Sequence, residues 1–152
     1  MTTSDELGVS ARQVMIDIFR NKDVEAVDRN FGRSFVQRDP SLPDGFTGMK
    51  SYAAEIASSP AADITIYRTL VDGDSVLLNS RYEGLKNAPG RTIAMDLFRF
   101  ADGKIVEHWG GQEPEGPIAT FPAIRRWTVR QRCRTAIGRK PTEPSSRPTG
   151  KS

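Results

Sequence analysis

Residues 91–112 read R-T-I-A-M-D-L-F-R-F-A-D-G-K-I-V-E-H-W-G-G-Q, and this stretch decides the fold. Two apolar-rich runs flank Ala101-Asp102-Gly103. Asp-Gly between two such runs signals a tight hairpin, because glycine takes a positive φ without steric cost. The reading predicts antiparallel strands over 92–100 and 104–112. Strand side chains alternate between faces. Thr92, Ala94, Asp96, Phe98 and Phe100 then share one face, and Ile93, Met95, Leu97 and Arg99 the other. On the second strand Val106, His108 and Gly110 alternate with Ile105, Glu107 and Trp109. Neither face is purely polar, which predicts cover on both. A carboxylate, Asp96, and the chain's one histidine, His108, sit on this hairpin. Any chemistry is expected to start there.

Outward from the hairpin the period stays near two back to about residue 62. Ile64, Ile66, Arg68 and Leu70 alternate with Thr65, Tyr67, Thr69 and Val71; Asp72-Gly73-Asp74 marks a turn, 75–83 a strand and 84–90 a polar loop. Further upstream the period is helical. Thr3-x-x-Glu6 fits a capping box ahead of Leu7, Ala11, Val14, Ile18 and Phe19, which predicts a helix over about 5–20. Asp23 is placed to cap a second, shorter helix carrying Val24, Val27 and Phe31, with Gly32 just past its end. Residues 35–37 read as a short extended piece, followed by a Pro- and Gly-rich loop. Thr47 is placed to cap a third helix carrying Met49, Tyr52 and Ile56, which Ser58-Ser59-Pro60 ends. Helices first and a meander after them predict an α+β fold, with the helices packed on one face of a curved antiparallel sheet.

The chain has 152 residues and a net charge of +3. Residues 1–116 carry 13 Lys/Arg and 18 Asp/Glu, whereas 117–152 carry 9 Lys/Arg and Glu143 alone. The basic pI near 9.2 therefore belongs to the tail and does not mark the whole protein as a nucleic-acid binder. The division predicts one domain over 1–116 and a basic Pro/Arg-rich extension over 117–152. A short helix is expected over 128–137 and disorder from Gly138 on. Arg125-Arg126-Trp127 and its neighbours fit a nucleic-acid arm less well than a solvated tail or an extension docked on the acidic body. One cysteine, Cys133, excludes an internal disulfide, and one histidine excludes a multi-His zinc site within one chain. No run approaches the ~20 apolar residues that span a bilayer, and the N-terminus lacks a secretion signal. A cytoplasmic protein with no cofactor is expected.

The element order, with F-V-Q-R-D-P at 35–40 and D-L-F-R-F-A-D-G-K-I-V-E-H-W at 96–109, resembles the SnoaL-like proteins of the nuclear transport factor 2-like superfamily. The resemblance covers about residues 5–115. It implies a cone, in which a strongly bent sheet wraps a pocket capped by the N-terminal helices, and often a dimer through the outer sheet face. It also implies ring closure of polyketides, isomerisation, dehydration or epoxide hydrolysis, or no activity. This chain departs from the usual pattern. Relatives commonly read Q-H-N-P where it has Gln37-Arg38-Asp39-Pro40, and E-H-W-D where it has Glu107-His108-Trp109-Gly110. They often carry a histidine in the strand written here as Asn79-Ser80-Arg81-Tyr82.

Asp96 is the best remaining base, since a carboxylate among apolar neighbours such as Ala94 and Phe98 is pushed toward neutral working pH. The competing reading makes it half of a structural ion pair with Arg38, Arg81 or Arg99. His108 is either a donor or base or, more in keeping with its place beside the relatives' acid, a supporting residue. Arg38 is either the electrophile that polarises a carbonyl or an exposed loop residue. Phe35, Tyr52, Arg81 and Phe98 are the candidates to line a substrate site, although Tyr52, like Tyr67 and Tyr82, better suits filling the cone as a half-buried residue than donating its phenol. Two functions stay open. One is a cyclase or isomerase acting on a hydrophobic small molecule by proton abstraction next to a carbonyl. The other is a binding or dimeric scaffold member that has lost the acid–base residues. Ile93, Met95 and Leu97 on the outer face suggest a homodimer.

Overall fold

A computed structural model of the chain describes residues 3–116. The expected tail over 117–152, its short helix, its disorder, its nucleic-acid arm and Cys133 lie outside the described residues.

The elements follow the expected order: α1 (Ser4–Phe19), α2 (Ala26–Asn30), β1 (Phe31–Gln37), α3 (Gly45–Ala57), β2 (Asp63–Asp72), β3 (Ser75–Leu85), β4 (Ala88–Ala101) and β5 (Lys104–Pro114). The capping box at α1 is present in full: Glu6 N–H donates to Thr3 Oγ1, and Thr3 N–H donates to Glu6 Oε2. Two helix starts differ from the sequence reading. The second begins at Ala26 after Glu25, not at Asp23, and Phe31 and Gly32 already belong to β1. The third begins at Gly45 after Asp44, two residues before Thr47.

The five strands form one sheet in the order β1-β5-β4-β3-β2. The β2–β3, β3–β4 and β4–β5 pairs are antiparallel, as the meander predicts. β1 joins the open edge of β5 in parallel, so the sheet is mixed at that edge. The hairpin turns at Asp102 (φ 49) and Gly103 (φ 70), with Ala101 paired to Lys104, as the Asp-Gly signal requires. The loop expected over 84–90 is shorter, because Leu85 already pairs with Ala88 across a tight turn.

The helices cover one face of the sheet, α1 against β2 and β3 and α3 against β1, and close the cone. Val14, Ile18 and Phe19 of α1 pack with Ile64, Val76, Leu78 and Ile105 of the strands, all nearly free of solvent. Burying each such side chain contributes roughly 1.5–3 kcal/mol. Two bulges correct the expected alternation. The β2–β3 register shifts between Ile66 and Arg68, so Ile64 faces the core but Leu70 is exposed and Val71 packs inward. The β4–β5 register shifts between Arg99 and Phe100, which turns Ile105 into the core on the same side as His108. An extra residue in one strand moves every later side chain to the opposite face. The inward face of β4 is as read: Thr92, Ala94, Asp96, Phe98 and Phe100 are all buried.

Candidate functional site

Three of the buried polar residues, Asp39, Asp96 and His108, gather at one place inside the cone. Register brings the two on strands together. Asp96 on β4 pairs with Gly110 on β5, and Phe98 pairs with His108. Gln37, the last residue of β1, pairs in parallel with His108. Tyr82 on β3 lies on the inward face with Leu78 and Ser80.

Tyr82 donates its hydroxyl hydrogen to Asp96 Oδ2 at 2.7 Å, and His108 Nε2 lies 3.1 Å from Asp96 Oδ1. His108 Nδ1 lies 2.8 Å from Gln37 Oε1. The imidazole is stacked on Phe98, with centroids 4.8 Å apart and planes at 24°. The Tyr82 ring rests on Phe19 at 4.8 Å. Burial, then the Asp96 charge and its hydrogen bond, hold the Tyr82 phenol well above its ordinary pKa, so it stays a donor.

The bonds also assign protons. Asp39 N–H donates to Gln37 Oε1 at 3.0 Å. A backbone nitrogen can only donate, so the Gln37 atom facing it must be the oxygen. That oxygen also faces His108 Nδ1, which must therefore carry a hydrogen. One proton then remains for the line between Nε2 and Asp96 Oδ1. The Gln37 Nε2 atom is buried without a partner among the described residues, a cost of about 1–3 kcal/mol.

Asp39 forms the other side of the site. Its Oδ1 accepts from Ser41 N–H at 2.8 Å and from Ser41 Oγ–H at 2.6 Å. Its Oδ2 has no hydrogen-bond partner among the described residues. The absence of a side chain at Gly110 makes the room: a Cβ there would lie 2.3 Å from Asp39 Oδ2 and 3.2 Å from His108 Cε1. Asp39, Asp96, His108, Tyr82 and Tyr52 line a cavity of about 40 Å³ together with Met15, Leu42, Met49, Ala94 and Phe98.

Of the residues singled out from the sequence, Asp96, His108, Tyr52 and Phe98 meet at this cavity. Arg38 does not line it; half exposed, it donates to Glu107 Oε1 at 3.0 Å. Arg81 points to the opposite face of β3 and pairs with Glu83. Phe35 lies in the core edge-on to Phe31 at 5.0 Å. Arg99 pairs with Glu107 and Asp74, so none of the three arginines holds Asp96. The sequence reading passed over Gln37 and Asp39. The signal was parity: counting by twos from Phe35 places both on the inward side and Arg38 outside.

The SnoaL-like domain model matches residues 12–108. No curated protein matches the chain. Among solved structures, a nuclear transport factor 2-like protein of unknown function from Mesorhizobium loti is 24% identical, covers 72% of this chain and 93% of its own, and superposes with a TM-score of 0.61. A candidate polyketide cyclase from Acidithiobacillus ferrooxidans is 18% identical, with 74% and 92% covered and a TM-score of 0.62. An LEH-like epoxide hydrolase from M. tuberculosis is 16% identical, with 72% and 84% covered and a TM-score of 0.61. At these identities the structures share the fold alone, but the matched domain spans most of the chain, which therefore belongs to the SnoaL-like family.

Proposed function

We propose that the chain is a small-molecule enzyme that moves a proton at a carbon next to a carbonyl, with Asp96 as the acceptor and His108 as its partner. One observation carries this reading: Asp96 lines the cavity with its carboxylate held by a tyrosine and a histidine and by none of the arginines. In the step the C–H bond breaks, its proton passes to the Asp96 carboxylate, and the electron pair moves onto the carbonyl oxygen. Polyketide ring closure and isomerisation both begin this way. Arg38, bound to Glu107 outside the cavity, takes no part in this step. The test is deuterium uptake from heavy water into the α-position of small ketones, followed by NMR. Asp96→Asn is expected to slow the exchange about 10²-fold or more. An unchanged rate removes Asp96 from the mechanism.

The size of the cavity favours a second reading, a binding or scaffold member without chemistry. At about 40 Å³ it holds little more than water, against roughly 300–1,000 Å³ for ligand pockets. Ligand entry requires Met15, Leu42 and Met49 to move, which flexible methionines permit. Ligand binding without exchange in the wild-type protein supports this reading. No helix among the described residues is long and apolar enough to cross a membrane. We further propose a cytoplasmic homodimer through the outer sheet face, where Leu70, Met95 and Trp109 are exposed. A monomer mass by light scattering would remove the dimer.

A further inference from the structure

The polar groups of the cavity fall into two sets. Tyr82, Asp96 and His108 satisfy one another, and Gln37 completes them from behind. Two others have capacity to spare. Asp39 Oδ2 accepts from nothing among the described residues, and Asp39 as a whole residue is about nine-tenths buried. The Tyr52 hydroxyl likewise has no hydrogen-bond partner among the described residues; its ring is held edge-on by Phe19 at 6.5 Å. Burial, then the charges of Asp96, Glu55 and Asp39, push the Tyr52 phenol above its ordinary pKa, so it is protonated. One unused acceptor and one unused donor therefore border the same small space.

A ligand that completes both groups gains hydrogen bonds that a ligand completing neither lacks, so the site favours the first. We infer that Asp39 and Tyr52 are the polar contacts for substrate, and that the substrate class is a hydroxy-carbonyl compound. Tyr52 donates to the carbonyl oxygen. Asp39 Oδ2 accepts from the neighbouring hydroxyl. Ser41 holds the other carboxylate oxygen, which aims the free one, and Gly110 leaves the space it occupies. The inference names the substrate class for the function proposed above and rests on that cavity. It does not require Asp96 to act as a base.

The probe is hydroxyacetone, compared with methoxyacetone, which keeps the carbonyl but cannot donate. Binding to the full chain is read from the ring signals of His108, the one histidine. The His108 Cε1 atom borders the same Gly110 gap as Asp39. Wild-type protein is expected to bind hydroxyacetone at least about tenfold more tightly than methoxyacetone, the effect of one hydrogen bond to a charged group. Asp39→Ala is expected to erase that preference. Tyr52→Phe is expected to weaken both ligands alike and keep the preference. A preference that survives Asp39→Ala, or no hydroxyacetone-dependent shift at all, overturns the inference. Preference present but no deuterium exchange sustains it while removing the proposed catalysis. Exchange present with no preference does the reverse.

Discussion

The two halves of the cavity are built differently. Tyr82, Asp96, His108 and Gln37 sit on four neighbouring strands, and sheet register sets their spacing. Asp39 and Tyr52 come from a loop and a helix, outside the register of the sheet. The strand-borne half is bonded throughout except at Gln37 Nε2, which sits behind the cavity; the other half keeps one acceptor and one donor open to it. A saturated half is rigid and sets the electrostatics. An open half can exchange its missing bonds for a ligand. The difference separates residues that hold the site from residues that meet what enters it.

The largest expected effect falls on the strand-borne half. Asp96→Asn removes the shared proton line to His108 and the charged acceptor for Tyr82, hence the loss of about 10²-fold or more in exchange. The next tests the boundary between the halves. Gly110→Ala puts a Cβ 2.3 Å from Asp39 Oδ2, too close for the carboxylate to stay. Overpacking of this kind costs about 1–3 kcal/mol. The expected result is a lower urea midpoint and loss of the hydroxyacetone preference. Adding Asp39→Ala to Gly110→Ala is expected to recover most of the stability, because the two changes share one contact. Additive losses would show that the loop does not occupy that gap.

Most of the strand-borne half was legible in the sequence, with Gln37 the exception. Asp-Gly fixed the hairpin, and alternation put Asp96 and Phe98 on one buried face. His108 was placed correctly even though the bulge that aligns Ile105 with it was not foreseen. A bulge is one residue of misfit between two strands, and neither strand states it alone. In the other half Tyr52 was named from the sequence and lines the cavity, but Asp39 was not legible, for a related reason. Arg38 drew attention as the charged departure in Gln37-Arg38-Asp39-Pro40, yet the alternation begun at Phe35 turns it outward. What makes Asp39 part of the site is the gap at Gly110, and the two are 71 positions apart in the chain. Likewise Arg38 and Arg99 pair with Glu107 across the sheet, a matter of register and not of composition, while Arg81 pairs with Glu83 two residues along its own strand.

The outward arginine supplies the smallest expected effect and sharpens the comparison from outside the cavity. Glu107 accepts from Arg99 Nε at 2.6 Å and from Arg38 at 3.0 Å, so it ties the end of β1 to the outer face of β4 and β5. The Arg99 hydrogen bond first, then that of Arg38, hold the Glu107 carboxyl below its ordinary value of 4.5. A carboxyl whose pKa is lower folded than unfolded favours the folded state while ionised. Its contribution is complete above the ordinary value and is lost as pH falls through the lowered folded value. Glu107→Gln removes that contribution at every pH. Urea midpoints of wild type and variant should differ slightly near neutrality and converge as the pH drops below the ordinary glutamate range. If the gap instead stays constant through acid pH, packing and not charge joins β1 to β5. The position of Asp39 would then rest on the β1–β5 ladder, where Arg38 N–H already donates to the His108 carbonyl oxygen at 2.8 Å.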